Sequence, residues 1–177
     1  MLDRFNHLYG KIINEEIGSE VVFKKITNAE MQRRVSTIEN ENPRLEGRLP
    51  DILTKFEKLG ELVCWWILEK GDRILACAAC SDEFHNSMFI NEICSFVKGA
   101  GSKLLLRLLE FKNYDIIYLN ADWTQPGLEG YYRRPEFGFE EKDVEKGGKT
   151  TCWFYKNFKL NEYELQAFSK RKFIFLS

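Results

Sequence analysis

Residues 89–105 read Phe89-Ile90-Asn91-Glu92-Ile93-Cys94-Ser95-Phe96-Val97-Lys98-Gly99-Ala100-Gly101-Ser102-Lys103-Leu104-Leu105. An apolar strand here runs through a two-glycine turn directly into a helix with leucines at three-four spacing. Glycine has no Cβ, so positions 99 and 101 let the backbone turn sharply, adopt positive φ and approach a ligand closely. A helix over 102–112 leaves the amides of Ser102 to Leu104 without partners in the preceding turn, and those amides and the helix dipole favour an anion. Lys98 and Lys103 flank the turn and add positive charge. This is the anatomy of a phosphate cradle. The dinucleotide fingerprint would need a further glycine at Leu104, and the chain has no Walker A run, so neither of those phosphate-binding devices is present.

Outward from this stretch the elements alternate regularly. Upstream, Val21–Ile26 reads as a strand, and Thr27 or Asn28 caps a helix that carries Met31, Val35 and Ile38 on one face. Asn40–Gly47 is a loop and Pro50–Leu59 a second helix. Glu61–Glu69 and Arg73–Ser81 are strands of a hairpin turning at Lys70-Gly71-Asp72, and Asn86–Val97 is the strand that enters the glycine turn. Downstream, the spacing predicts a strand over 115–121, a helix over 126–134, and strands over 137–141 and 150–158 joined through Lys146-Gly147-Gly148-Lys149. Met1–Glu16 has helical apolar spacing (Leu2, Phe5, Leu8, Tyr9, Ile12, Ile13), and Asn161–Lys172 is a C-terminal helix.

In this order (strand, two helices, three strands, helix, strand, helix, two strands) the chain resembles the GNAT superfamily of acetyl-CoA-dependent N-acetyltransferases. The resemblance covers residues 20–158, with its motifs between 88 and 140. The family's turn, Gln/Arg-x-x-Gly-x-Gly/Ala, is matched by Gly99 and Gly101, with Phe96 in place of the polar first residue. Its tyrosine before a Gly-Phe pair is matched by Tyr132 ahead of Gly138-Phe139, with five intervening residues where the family has about three. The implied fold is α/β with mixed α+β character, a central, mostly antiparallel mixed sheet flanked by helices. The implied domains are an N-terminal helical extension at 1–20, an acetyltransferase domain at 21–158 and a C-terminal helical extension at 159–177.

The resemblance implies direct acetyl transfer from acetyl-CoA, as co-substrate, to a primary amine. It places the cofactor along Cys94, Ser95, Phe96, Val97, Lys98, Gly99, Ala100, Gly101, Ser102 and Lys103, the first three through backbone groups that pair with pantetheine. Glu92 matches the general base, with Asp122 as the substitute. Tyr132 matches the acid that protonates the departing thiolate, with Tyr131 open as the alternative. A catalytically weak acyl-CoA-binding module of the same fold is the second functional reading, favoured by Phe96 and the lengthened tyrosine segment. Carboxylates at Glu39, Glu41 and Glu46, and at Glu140, Glu141, Asp143 and Glu145 in the segment joining the last two strands, give the acceptor mouth an acidic rim. That rim suits a small cationic or lysine-like amine, although Arg44, Arg48, Lys142, Lys146 and Lys149 interleave with it.

Composition agrees with a single globular domain: 177 residues, 44% of them hydrophobic, fill one core. A net charge of −1 argues against a general nucleic-acid binder. Five cysteines, an odd set in apolar strand contexts, and an N-terminus without signal-peptide layout read as reduced thiols in a cytoplasmic protein. Cys77-x-x-Cys80 has metal-site spacing, but no second pair completes four ligands, so no metal is expected. His7 and His85 are the only histidines, and both read as surface residues. No apolar run approaches the ~20 residues of a membrane span. Trp65, Trp66, Trp123 and Trp153 are candidates for an acceptor groove or for core, and the terminal extensions for homodimer contacts.

Overall fold

A computed structural model describes residues 20–41, 63–83, 86–111, 113–121, 127–146 and 148–172. The expected helices at 1–16 and 50–59, both histidines, Asp122, Trp123 and Glu46 lie outside these residues. The elements are β1 (Val21–Thr27), α1 (Asn28–Glu41), β2 (Val63–Lys70), β3 (Arg73–Glu83), β4 (Ser87–Ser95), α2 (Ala100–Leu109), β5 (Ile116–Ala121), α3 (Leu128–Tyr132), β6 (Glu140–Lys146), β7 (Lys149–Asn157) and α4 (Glu162–Lys172). The seven strands form one mixed sheet in the order β1-β2-β3-β4-β5-β7-β6. The chain divides into two compact units, residues 1–81 with 92–107 and residues 82–91 with 108–177.

In the first unit, β1 pairs antiparallel with β2, and β2 with β3 through the register Lys70↔Arg73, which leaves Gly71-Asp72 as the turn. Thr27 Oγ1 accepts from the Glu30 amide at 3.1 Å and opens α1. The helix lays Met31, Val35 and Ile38 against Ile26, Val63, Trp65, Ile67, Ile74, Cys77, Ala79 and Cys94. Trp65 is fully buried and its indole N–H donates to Asn28 Oδ1 at 2.8 Å, so this tryptophan is core rather than groove. Trp66 faces the other side of the sheet, stacked on Phe23 at 5.0 Å. Glu69, buried at a register shift in β2, is bound by Lys24 at 2.6 Å and by Arg34. Cys77 and Cys80 are three residues apart on one strand and therefore point to opposite faces, which keeps the Cys-x-x-Cys pair from sharing a ligand.

In the second unit, β4 runs parallel to β5 (Ser87↔Ile116 to Phe89↔Tyr118), while β7 pairs antiparallel with both β5 and β6. Ile116, Tyr118, Trp153 and Phe168 form its core, with Phe89, Val144, Tyr155, Leu160 and Leu165 packed on it. Trp153 is 3% exposed and thus also core. Asn161 and Glu164 exchange side-chain-to-amide bonds of 2.9 Å, a capping box that starts α4 one turn before Leu165 and Phe168 dock.

Three boundaries differ from expectation. α2 begins at Ala100 rather than 102 and ends at Leu109, and α3 is confined to Leu128–Tyr132. The sixth strand lies at 140–146 rather than 137–141. Phe137 and Phe139 look like strand residues, yet turn bonds from Phe137 N to Arg134 O (3.2 Å) and Gly138 N to Pro135 O (3.1 Å) hold that stretch in turns. The strand that does form, Glu140-Glu-Lys-Asp-Val-Glu-Lys146, is highly charged because it is a sheet edge, where charge discourages further pairing. The acids Glu140, Glu141, Asp143 and Glu145 therefore stand on β6 itself and not in the connection to β7.

Candidate functional site

The glycine turn is built from the end of β4. Phe96 and Val97 donate their amides to the Leu75 carbonyl of β3, at 2.9 and 3.3 Å, which ends the strand. Gly99 then takes φ 83°, a left-handed conformation open to glycine with little cost, and the Ala100 amide returns to the Val97 carbonyl at 3.0 Å. Within the turn, positive φ belongs to Gly99 alone. Gly101 is suited to its place for a different reason: a Cβ there would lie 3.0 Å from Ser95 Cβ and 3.4 Å from Ser95 Oγ. Helix and strand approach too closely at this point for any other residue to fit without movement.

The expectation of open amides at Ser102–Leu104 is corrected at Lys103 by the earlier start of α2. The Lys103 amide donates to Gly99 O at 3.1 Å, within a helical turn. The Gly101 amide donates to Ser95 Oγ at 3.0 Å, and the same hydroxyl donates to Val97 O at 2.7 Å. Ser95, expected only as a backbone contributor, thus acts through its side chain. A bond spanning six residues between a strand end and a helix start has no signature in local propensity.

Around the turn, Lys98 and Ser95 are exposed and Lys103 is half-buried. Burial, and then the nearby Arg107 charge, lower the Lys103 ammonium pKa. Phe96 packs against the α1 core cluster, so the residue standing where the family has a polar side chain serves as apolar packing. Cys94 is buried, and its hydrogen bond with Cys77 pushes the Cys77 thiol well up, with burial adding to the effect. Glu92, in β4, is half-buried, and strand alternation puts it on the face of Ile90 and Cys94. Glu92 and residues 94–103 belong to the first unit, whereas both tyrosine candidates belong to the second.

In that second unit Tyr132 is 8% exposed, with ring centroids 5.1 Å from Tyr131, 5.5 Å from Phe154 and 6.3 Å from Phe139. Tyr131 is half-buried, 5.2 Å from Phe137, with the Arg134 guanidinium 5.0 Å from its ring. Arg133, just after α3, binds Glu141 of β6 at 2.7 Å. Glu141, Asp143 and Glu145 alternate onto one face of β6, opposite Phe154, Cys152 and Thr150 of β7. Burial first, and a hydrogen bond to the Asp143 carboxylate second, push the Cys152 thiol up to about 12. On the opposite face Tyr155 donates to Glu140 at 3.0 Å.

This architecture has counterparts among solved structures. An acetyltransferase from Thermus thermophilus superposes with TM-score 0.55 at 14% identity, over 77% of this chain and 96% of its own. A GNAT-family acetyltransferase from Elizabethkingia anophelis, solved with acetyl-CoA bound, gives 0.52 at 13% identity, over 79% and 99%. The chain has the GNAT fold. A third GNAT-fold structure, a chimera containing spermidine N-acetyltransferase from Vibrio cholerae, gives 0.54 at 15% identity, over 79% and 96%. No family model and no curated protein matches the sequence itself. Within the GNAT fold, residues 94–103, the end of β4 with the glycine turn and the start of α2, are those the resemblance assigns to the co-substrate. Among the described residues no helix is long and apolar enough to cross a membrane.

Proposed function

We propose that this chain is an N-acetyltransferase that moves an acetyl group from acetyl-CoA to a primary amine by direct transfer. The observation that carries the reading is the turn from Ser95 to Gly101: within the GNAT fold, a left-handed Gly99 feeds the N-terminus of a ten-residue helix, with Lys98 exposed beside it. The positive end of that helix and the lysines suit a pyrophosphate. Residues 94–103 would hold the co-substrate, which supplies the acetyl group already activated as a thioester.

Two proton movements remain for the chain's own side chains. The attacking amine must be uncharged, and Glu92 is the group we assign to receive its proton. The departing thiolate must be protonated, and Tyr132 is the donor we assign, held in orientation by Phe139, Phe154 and Tyr131. We assign a cationic amine as acceptor. The support is the row of Glu141, Asp143 and Glu145 on one face of β6, tempered by Arg133, which already engages Glu141. Spermidine acetylation by a protein of this fold is compatible with such an acceptor.

Thermal unfolding with CoA tests the reading. CoA at ~100 times its dissociation constant stabilises the fold by about 2.7 kcal/mol. No shift at millimolar CoA overturns the assignment. The second reading, a module that binds acyl-CoA without turnover, is favoured by the inward packing of Phe96. A CoA-dependent shift without amine-dependent release of free CoA across polyamines, lysine peptides and neutral amines would select it.

A further inference from the structure

We propose that Ser95 sets the affinity of the glycine turn by competing, through its side-chain hydroxyl, for the amide that a pyrophosphate oxygen would use. The inference rests on the acyl-CoA reading above and adds to it a residue whose backbone alone was assigned there. Three observations converge. Ser95 Oγ accepts the Gly101 N–H at 3.0 Å, in the first turn of α2, the position where the helix dipole favours negative charge. The same oxygen donates its own proton to Val97 O at 2.7 Å, so one hydroxyl ties both ends of the turn. A Cβ on Gly101 would lie 3.0 Å from Ser95 Cβ and 3.4 Å from Ser95 Oγ, so Ser95 stands directly against the first turn of α2, and an oxygen replacing Oγ would come from the side Ser95 now covers.

An amide carries one proton, and Ser95 Oγ already accepts it. A ligand oxygen takes that bond as the serine rotates to another staggered rotamer, which its exposure permits. Binding at Gly101 is then an exchange of one acceptor for another, and the net gain is smaller than for an open amide. Phe96 and Val97 are held by Leu75 O independently of Ser95, so the strand end keeps its place when the hydroxyl is removed.

The experiment is calorimetric titration of the full chain and of Ser95→Ala with CoA and with pantetheine, which has the same arm but no phosphate. Loss of one neutral competing hydrogen bond predicts CoA binding about fivefold tighter in Ser95→Ala, with pantetheine unchanged. In the ligand-free variant the Gly101 amide exchanges faster, and CoA restores its protection. CoA binding by Ser95→Ala alone would also support the proposal. Wild-type binding with equal or weaker binding by the variant, or an equal gain for pantetheine, overturns the role of Ser95 and leaves the acyl-CoA reading standing. Absence of CoA binding in both proteins overturns both.

Discussion

Gly101→Ala is a substitution whose sign is set by one contact. In a helix, alanine is favoured over glycine by up to about 1 kcal/mol, so the exchange would ordinarily stabilise α2. Here the new methyl carbon would sit 3.0 Å from Ser95 Cβ, an atom fixed to the backbone of β4, with Ile93 Cγ2 at 3.8 Å behind it. Overpacking of this kind costs roughly 1–3 kcal/mol, which exceeds the propensity gain. The expected net effect is destabilisation by about 1 kcal/mol. Removing the obstructing atom reverses the sign: in a Ser95→Gly background the same Gly101→Ala change stabilises by up to about 1 kcal/mol. A double-mutant cycle by urea unfolding therefore gives a coupling of roughly 2 kcal/mol, well outside the ~0.3–0.5 kcal/mol of independent sites. Equal effects of Gly101→Ala in the two backgrounds would refute the strand–helix approach on which the turn is built.

Other consequences follow from the ionic and proton-bearing groups. Burial raises the Glu69 carboxyl, but hydrogen bonds and charge from Lys24 and Arg34 outweigh it and hold the group below its ordinary value. Its contribution is thus present above the unfolded carboxyl pKa of ~4.3 and disappears as pH falls through the lower folded value. Glu69→Ala should cost about 2–3 kcal/mol at pH 7, less than the ~3–5 of a fully buried pair because Arg34 keeps 23% exposure, and the gap in melting temperature should close under acid. The Cys152 thiol, at about 12, should resist iodoacetamide at pH 8, and Asp143→Asn should speed its alkylation by removing the carboxylate that holds its proton. Tyr132→Phe should lower turnover on the order of 10²-fold with CoA affinity intact, whereas Tyr131→Phe as the damaging change would move the acid by one position. Glu92→Gln should act likewise, with partial recovery at high pH as the amine deprotonates without help.

The chain's own alphabet determines the order of its elements. Short apolar runs in β1 to β5, three-four spacing in α1 and α2, and Gly-Asp at the β2–β3 turn act over a few residues, and each was legible without a partner. The glycine turn was legible for the same reason, since only the sharp turn into a helix explains Gly99 at that place. The edge strand was not: β6 has one apolar residue, Val144, and exists as a strand because β7 offers it a ladder, while the apolar Phe137 is held in a turn and Phe139 stays outside the strand.

Tertiary packing also decided how the candidate site is furnished. Phe96 reads as an anomaly in a ligand motif until the α1 core shows the apolar surface it fills. Tyr131 and Tyr132 are the same residue type in adjacent positions, and only the rings of Phe154 and Phe139 distinguish the buried one. The first-turn amides of α2 depend on where the helix begins, and it begins at Ala100 with Ser95 placed to take the Gly101 proton. Periodicity and turn chemistry are properties of neighbours in the chain, whereas donors, acceptors and space are shared among residues that folding alone brings together.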